Sequence, residues 1–132
     1  MDRRVIEPPA IVTLDDILRV RPYIEAALRY SHGTHLFEDV VVELINQRAQ
    51  LWPFEKSALV TEINVFPRKK VLNMWLAGGN MRELLSKEPG VVAWGKRQGC
   101  ETSVLFGGRK GWIRSMSHLG YRPLHYTIYR DI

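Results

Sequence analysis

Apolar residues in the first part of the chain recur with the period of an amphipathic helix. Between residues 17 and 28 they fall at roughly every third or fourth position, and Thr13 followed by Asp16 has the spacing of a helix-capping box. Pro22 lies inside this pattern and predicts a break or kink between two short helices, because proline removes a helix hydrogen bond. A second amphipathic helix is predicted over residues 36–50, with its own apolar stripe.

From residue 58 the pattern changes to runs rich in β-branched and aromatic residues. Residues 58–66 and 71–77 form two such runs, and the segment Pro67-Arg68-Lys69-Lys70 between them predicts an antiparallel hairpin. The remaining pattern predicts a helix over 81–98 interrupted at Glu88-Pro89-Gly90, a strand over 102–106, a helix over 111–118 and a strand over 121–130.

This order of elements predicts an α+β (α/β) fold. Two helices come first and helices then alternate with strands, so crossover connections and a mixed sheet are expected. At 132 residues the chain suits a single domain spanning 1–132. Its 45% hydrophobic and 25% charged residues are typical of a globular protein in water, and no apolar run is long enough to cross a bilayer.

The number of cysteines, the spacing of the histidines and the distribution of charge limit the kinds of site that this chain can form. Cys100 is the single cysteine, so a disulfide within the chain is excluded and a reducing, cytoplasmic location is expected. The four histidines lack the spacing of metal ligands, so no metal site is predicted. Residues 1–54 carry 6 Lys+Arg and 8 Asp+Glu, whereas residues 55–132 carry 13 and 6. The basic second part is either a surface for an anion (a nucleic acid, a phosphorylated cofactor or an acidic protein) or an ordinary solvated face.

The turn after the predicted hairpin is the most informative local segment. Gly78 and Gly79 allow a close backbone approach, Asn80 can cap the following helix, and Glu83 completes a capping-box analogue. A phosphate group could sit at this helix N-terminus, where Arg82 would add positive charge. An ordinary capped turn between a strand and a helix is the alternative, and the pattern by itself favours it.

A second candidate site lies on the predicted hairpin. If the hairpin closes at Arg68-Lys69, Asn64 lies opposite Asn73 and Glu62 lies opposite Trp75, with all four on one face. Glu62 is the carboxylate of this patch and the candidate general base for a proton transfer. A solvent-exposed sheet face is the competing interpretation and is somewhat favoured.

The order of segments from residue 58 onward carries a family resemblance. A hairpin leads through residues 78–82 into a helix, residues 93–100 have the order helix, glycine, strand, and residues 111–121 have the form of a last helix followed by Gly-Tyr. In these features the chain resembles the GNAT superfamily of acyl-CoA N-acyltransferases, and in particular small divergent GNAT-like proteins of tailed phages. The resemblance implies a mixed, mostly antiparallel sheet flanked by helices, with two N-terminal helices on the substrate side.

The resemblance also implies an activity, the transfer of an acetyl group from acetyl-CoA to an amine. Glu62 and Asn73 would then be the catalytic residues. The residues that would bind the cofactor are Gly78, Gly79, Asn80, Met81, Arg82, Arg109 and Gly111.

Three positions depart from the family pattern. Leu76 stands at the usual basic position of the pyrophosphate turn, Met81 stands at its second glycine, and Met116 replaces a tyrosine that serves as general acid. These departures favour an alternative, a catalytically inactive protein that acts through protein contacts or self-association, as a phage virion component. A nucleic-acid-binding module is a weaker alternative, because no nucleic-acid motif is present.

Overall fold

The structure is a computed structural model that describes residues 4–106 and 109–132. In chain order its elements are α1 (Leu14–Leu28), α2 (Phe37–Ile45), β1 (Gln50–Pro53), β2 (Ser57–Val65), β3 (Lys70–Gly79), α3 (Met81–Arg97), β4 (Thr102–Val104) and α4 (Lys110–Met116), which a 3₁₀ turn (Ser117–Leu119) extends.

The strands form one mixed sheet in the order β1-β2-β3-β4. The β1–β2 and β2–β3 pairs are antiparallel, whereas β3 and β4 are parallel. The parallel pair requires a crossover, which α3 provides. The predicted α+β fold, with a mostly antiparallel sheet flanked by helices and two N-terminal helices, is therefore confirmed.

One face of the sheet is covered by α1 and α2. Their buried apolar stripes pack with alternate residues of the strands, as the period-2 geometry of a strand requires. This first core contains Ile17, Val20, Ile24, Phe37, Val40, Leu44, Ala49, Leu51, Ala58, Val60 and Leu76. Thr13 caps α1 as predicted, because its side chain accepts a hydrogen bond from the Asp16 backbone N–H at 3.1 Å.

The opposite face is covered by α3. The second core contains Trp52, Leu59, Leu72, Met74, Leu84, Val91 and Trp94, with Trp112 of α4 packed at its margin. Trp52 and Trp94 meet edge to face, with ring centroids 5.4 Å apart. The sheet therefore lies between two separate apolar layers, and β2 and β3 contribute to both.

Both predicted helix breaks at proline are wrong. Pro22 lies inside a continuous α1 and Pro89 inside a continuous α3. Buried residues stand on both sides of each proline, for example Val20 and Ile24 around Pro22. The burial of these stripes outweighs the local cost of the missing hydrogen bond.

The hairpin between β2 and β3 is confirmed, but its predicted register is wrong. Phe66 and Lys69 exchange backbone hydrogen bonds, so Pro67-Arg68 is the two-residue loop. Glu62 consequently lies opposite Asn73. The register shifts at Val60/Thr61, where β3 carries an extra residue. A β-bulge of this kind depends on packing on both faces of the sheet and leaves no clear trace in the pattern of residues.

Two further predictions need correction. The strand predicted over 121–130 is absent, because residues 121–132 belong to no helix or strand. The helix predicted over 36–50 ends at Ile45, and Gln50–Pro53 forms the unpredicted edge strand β1. In β1 the neighbouring residues Leu51 and Trp52 are both buried, one in each core, so the alternation that marks a half-exposed strand is missing.

Candidate functional site

The strongest candidate site is a carboxylate–amide pair between β2 and β3. Asn73 Nδ2 donates a hydrogen bond to Glu62 Oε1 at 3.1 Å, and the two residues are direct cross-strand partners. Because a carboxylate only accepts, this bond orients the Asn73 amide and leaves Asn73 Oδ1 as its free acceptor. Asn73 is only 7% exposed, and its Oδ1 is a buried atom without a hydrogen-bond partner among the described residues. Such an atom is costly unless a ligand or water donates to it.

This pair lies where the two parallel strands separate. Pairing of β3 with β4 runs from Val71↔Thr102 to Asn73↔Val104 and ends there. Beyond Asn73, β3 continues to Gly79 with no strand beside it on that edge within residues 4–106 and 109–132. Backbone groups along Met74–Gly79 are therefore available to a ligand that lies along the strand.

Two aromatic residues stand beside the pair. Trp75 packs against the first core, on the face of β3 that Asn73 also occupies, and the His35 ring meets the Trp75 ring edge to face at 4.9 Å. His35 comes from the loop between α1 and α2, and its Nδ1 is 2.8 Å from Thr34 Oγ1. Sequence reasoning assigned no role to His35, because a loop residue reaches this site only through the tertiary fold.

The two glycines of the predicted turn pack against the protein itself. A Cβ on Gly78 would lie 2.1 Å from the Tyr23 carbonyl oxygen of α1. Gly79 has φ +104°, and a Cβ there would lie 2.6 Å from the Lys56 carbonyl oxygen. Both glycines thus allow the strand to approach neighbouring backbone on the side where a Cβ would lie.

The N-terminus of α3 follows directly. Asn80 caps the helix as predicted, with Oδ1 accepting from Glu83 N at 2.9 Å. The predicted return bond from the Glu83 side chain to Asn80 is wrong, since the Asn80 N–H donates to Lys56 O. The Glu83 carboxylate instead accepts hydrogen bonds from Lys56 N and the Ser57 hydroxyl, which fasten α3 to β2. Met81 and Arg82 are both exposed at this end of the helix.

Arg109 and Gly111 stand at the start of α4. The Arg109 guanidinium lies 3.7 Å from the centroid of the Tyr30 ring, a cation–π contact with the loop that follows α1. Gly111 is exposed, and a Cβ there would meet no atom within 4 Å. Among the residues that the structure describes, no hydrogen bond, ion pair or ring contact joins Arg109 or Gly111 to residues 78–82.

A small cavity lies between β3, α3 and α4. Its volume is about 30 Å³, and Met74, Leu105 and Trp112 are among its apolar walls. Glu88 is the one charged residue among the described residues that line it, and burial raises the pKa of this carboxyl. Burial also raises the pKa of the Tyr121 hydroxyl, against the opposing effect of its 2.6 Å hydrogen bond with Ser103.

The described residues contain neither a metal-binding cluster nor a membrane-spanning helix. Within residues 4–106 and 109–132, no group of three or more His, Cys, Asp or Glu side chains is placed to hold a metal ion. Over the same residues, no helix has both the length and the apolar character needed to span a membrane.

Comparison with known proteins identifies the fold and not the function. A crystal structure of a tetramutant of the BH1408 protein from Bacillus halodurans matches with a TM-score of 0.60 over 92% of this chain and 97% of that chain, at 13% identity. A point mutant of the same protein matches with a TM-score of 0.56 over 90% of this chain and 93% of that one, at 11% identity. No protein-family model matches the chain, and no curated protein matches it in sequence.

Proposed function

We propose that this protein is a GNAT-like N-acyltransferase that moves an acetyl group from acetyl-CoA to an amine. The observation that carries the proposal is the Glu62–Asn73 pair at the point where the parallel strands β3 and β4 separate. A carboxylate–amide pair whose amide is buried and has one unsatisfied acceptor, Asn73 Oδ1, suits a substrate that brings N–H donors.

The chain supplies several groups that suit acetyl-CoA. The N-terminal end of α3, with exposed Met81 and Arg82, offers backbone N–H groups and a guanidinium to the phosphates. The edge of β3 from Met74 to Gly79 offers backbone donors and acceptors to the amides of the pantetheine arm. When bound, the cofactor would supply a thioester whose acyl carbon is open to attack by an amine.

The roles of the site residues follow from their hydrogen bonds. Asn73 Nδ2 holds the Glu62 carboxylate in place at 3.1 Å, so Glu62 is positioned to take a proton from the substrate amine. Asn73 Oδ1 can accept a hydrogen bond from the same amine and orient it. The ring of Trp75, with His35 at its edge, provides an apolar wall beside the amine.

A second candidate function is a non-catalytic role through protein contacts. The observation in its favour is the small space beside β3, where Leu105 and Trp112 leave a cavity of only about 30 Å³. A cavity of this size has room for only a few water molecules, so a pantetheine arm would enter only if these side chains moved. The Glu83 carboxylate near the turn also opposes an anion there.

Thermal unfolding with and without acetyl-CoA separates the two candidates. A ligand at 100 times its dissociation constant stabilises a protein by about 2.7 kcal/mol, which raises the melting temperature by several degrees. We expect such a rise with millimolar acetyl-CoA and a smaller one in Arg82→Glu, whose side chain is exposed. Arg68→Glu at the exposed hairpin loop is the matched control. An unchanged melting temperature would rule out the acyltransferase and leave the non-catalytic role.

Turnover tests the catalytic residue separately from binding. Release of the CoA thiol is followed with a panel of primary amines, and Glu62→Gln is expected to lower the rate by about 10²–10⁴-fold. Because the glutamine side chain keeps an oxygen that can accept the hydrogen bond from Asn73, this variant should keep the stabilisation by acetyl-CoA. Glu55→Gln, an exposed carboxylate outside the site, is the control. Equal rates in Glu62→Gln and the parent protein would exclude Glu62 as the base.

A further inference from the structure

We propose that two copies of this chain form a dimer by exchanging their C-terminal segments, residues 122–130, each of which adds a strand to the free edge of β4 in the other copy. The proposal is independent of the acyltransferase function. It rests on two incomplete features, a strand-forming segment without a sheet and a sheet edge without a strand.

The C-terminal segment has the composition of a strand but none of its bonds. Leu124, Tyr126 and Ile128 alternate with other residues, which is the period of a strand with one apolar face. These three side chains are 75%, 84% and 92% exposed, so that apolar face is covered by nothing in the described chain. After Tyr121, no backbone–backbone hydrogen bond is made by any residue through 132, within the residues described.

The free edge of β4 borders a groove that is large enough for side chains. The groove has a volume of about 450 Å³, and its walls come from β4 and α3. Leu72, Val92 and Gly95 give it an apolar floor, while Thr102 and Ser103 present the edge of β4. In the described residues β4 pairs only with β3, so its outer backbone groups are unpaired. Such an edge is a template for an added strand.

Within its own chain, the C-terminal segment does not follow this groove. Tyr121 begins at β4, where its hydroxyl bonds Ser103 at 2.6 Å. Further along, His125 stacks on Phe106 at 6.1 Å, and Tyr129 reaches the His32 ring at 4.2 Å in the loop after α1. These are side-chain contacts that lead away from α3, so in a single copy the segment passes the groove without filling it.

A second copy of this chain can supply both the strand that the β4 edge lacks and the edge that the C-terminal segment lacks. Since each segment starts beside the β4 edge of its own chain, a two-fold axis near that edge lets both segments cross reciprocally, and one interface satisfies both copies. Each exchanged strand would bury the exposed apolar face and pair its backbone.

The oligomeric state is the first test. Light scattering on the full chain at micromolar concentration should give twice the mass of one chain. Deletion of residues 122–132 should give a monomer that keeps its far-ultraviolet circular dichroism, because these residues contribute nothing to either core. A monomeric full chain at all accessible concentrations would overturn the proposal, and so would a dimer that survives the deletion.

Cysteine cross-linking tests where the segment lies. Cys100 is the single cysteine and lines the groove, so Leu124→Cys, Tyr126→Cys and Ile128→Cys each place a thiol on the face expected to meet it. With a copper–phenanthroline oxidant, at least one should give a covalent dimer, whereas Thr127→Cys on the other face should not. The same variants in a Cys100→Ser background should lose the cross-link. A disulfide within one chain would place the segment in its own groove and overturn the exchange.

Discussion

At the scale of single residues, buried polar atoms are satisfied by partners that lie close in space and not always close in sequence. The Trp52 indole N–H donates to the Thr61 hydroxyl at 3.0 Å, and that hydroxyl donates to the Gln50 side-chain oxygen at 2.8 Å. This chain of hydrogen bonds links β1 to β2 inside the second core and satisfies both of these donors. Against that background, Asn73 Oδ1 stands out among the described residues as a buried acceptor that still needs a donor, from a ligand or from water.

Glu88 gives a prediction about pH at this scale. Burial raises the pKa of its carboxyl above the ordinary value, so the folded protein holds this proton more tightly than the unfolded chain does. The resulting stabilisation is fully present below the ordinary carboxyl pKa and is lost as pH rises through the higher folded value. Glu88→Gln, which stays neutral, should therefore be more stable than the parent protein at neutral pH.

The measurement for Glu88 is urea unfolding at two pH values, one below the ordinary carboxyl range and one near neutrality. The advantage of Glu88→Gln should be largest near neutrality and shrink at the acidic pH. Glu55→Gln, at an exposed position, provides the control for loss of a carboxylate. An equal gain for Glu88→Gln at both pH values would contradict the assigned cause.

At the scale of elements, the turn from β3 into α3 joins three parts of the fold. The Asn80 N–H and the Glu83 carboxylate both bond the backbone of Lys56, at the start of β2. Gly78 meanwhile lies against the backbone of α1 at Tyr23. The glycines and the cap were visible in the sequence, but their partners were not, because those partners are separated from the turn by more than twenty residues.

The cap of α3 gives a prediction for one element. Asn80→Ala removes the acceptor for the Glu83 N–H and leaves a helix donor without its partner. We expect this change to lower the free energy of unfolding by about 1 kcal/mol, with a range of about 0.5–2 kcal/mol. Asn80→Asp keeps an oxygen acceptor and should lose little. Urea unfolding measures both variants, and an unchanged stability in Asn80→Ala would show that the cap is dispensable.

At the scale of the whole molecule, two apolar layers share one sheet. The first layer joins α1 and α2 to the sheet, and the second joins α3 and the margin of α4. The strands β2 and β3 contribute side chains to both layers. If one layer unfolded and released these strands, the other layer would lose part of its own core. The two layers should therefore unfold together in a single transition.

Matched core truncations test this coupling. Val20 in α1 and Val91 in α3 are both fully buried, one in each layer. Val20→Ala and Val91→Ala should each lower the free energy of unfolding by about 2 kcal/mol, since each removes buried methyl groups and leaves a cavity. Tryptophan fluorescence and far-ultraviolet circular dichroism should report the same shifted midpoint for both variants. Two separate midpoints in either variant would show that the layers unfold independently.

Features that depend on neighbouring residues could be predicted from the amino-acid order alone. The amphipathic periods predicted α1 and α2, and the caps at Thr13 and Asn80 marked the starts of α1 and α3. The β-rich runs around Pro67-Arg68 predicted the hairpin, and the residue types on it singled out Glu62 and Asn73. These signals are local, because helix periods, caps and tight turns involve residues only a few positions apart.

The remaining features depend on long-range packing and became visible only in the folded chain. The loop at Pro67-Arg68 places Glu62 opposite Asn73, a bulge shifts the strand register beyond Thr61, and the parallel pairing with β4 ends beside the pair. Buried stripes on both sides of Pro22 keep α1 continuous. Residues 122–130 have the pattern of a strand, yet they find no sheet partner in the described chain. A strand needs a neighbour to bond, and whether one is present is a property of the assembled fold, not of the segment's own sequence.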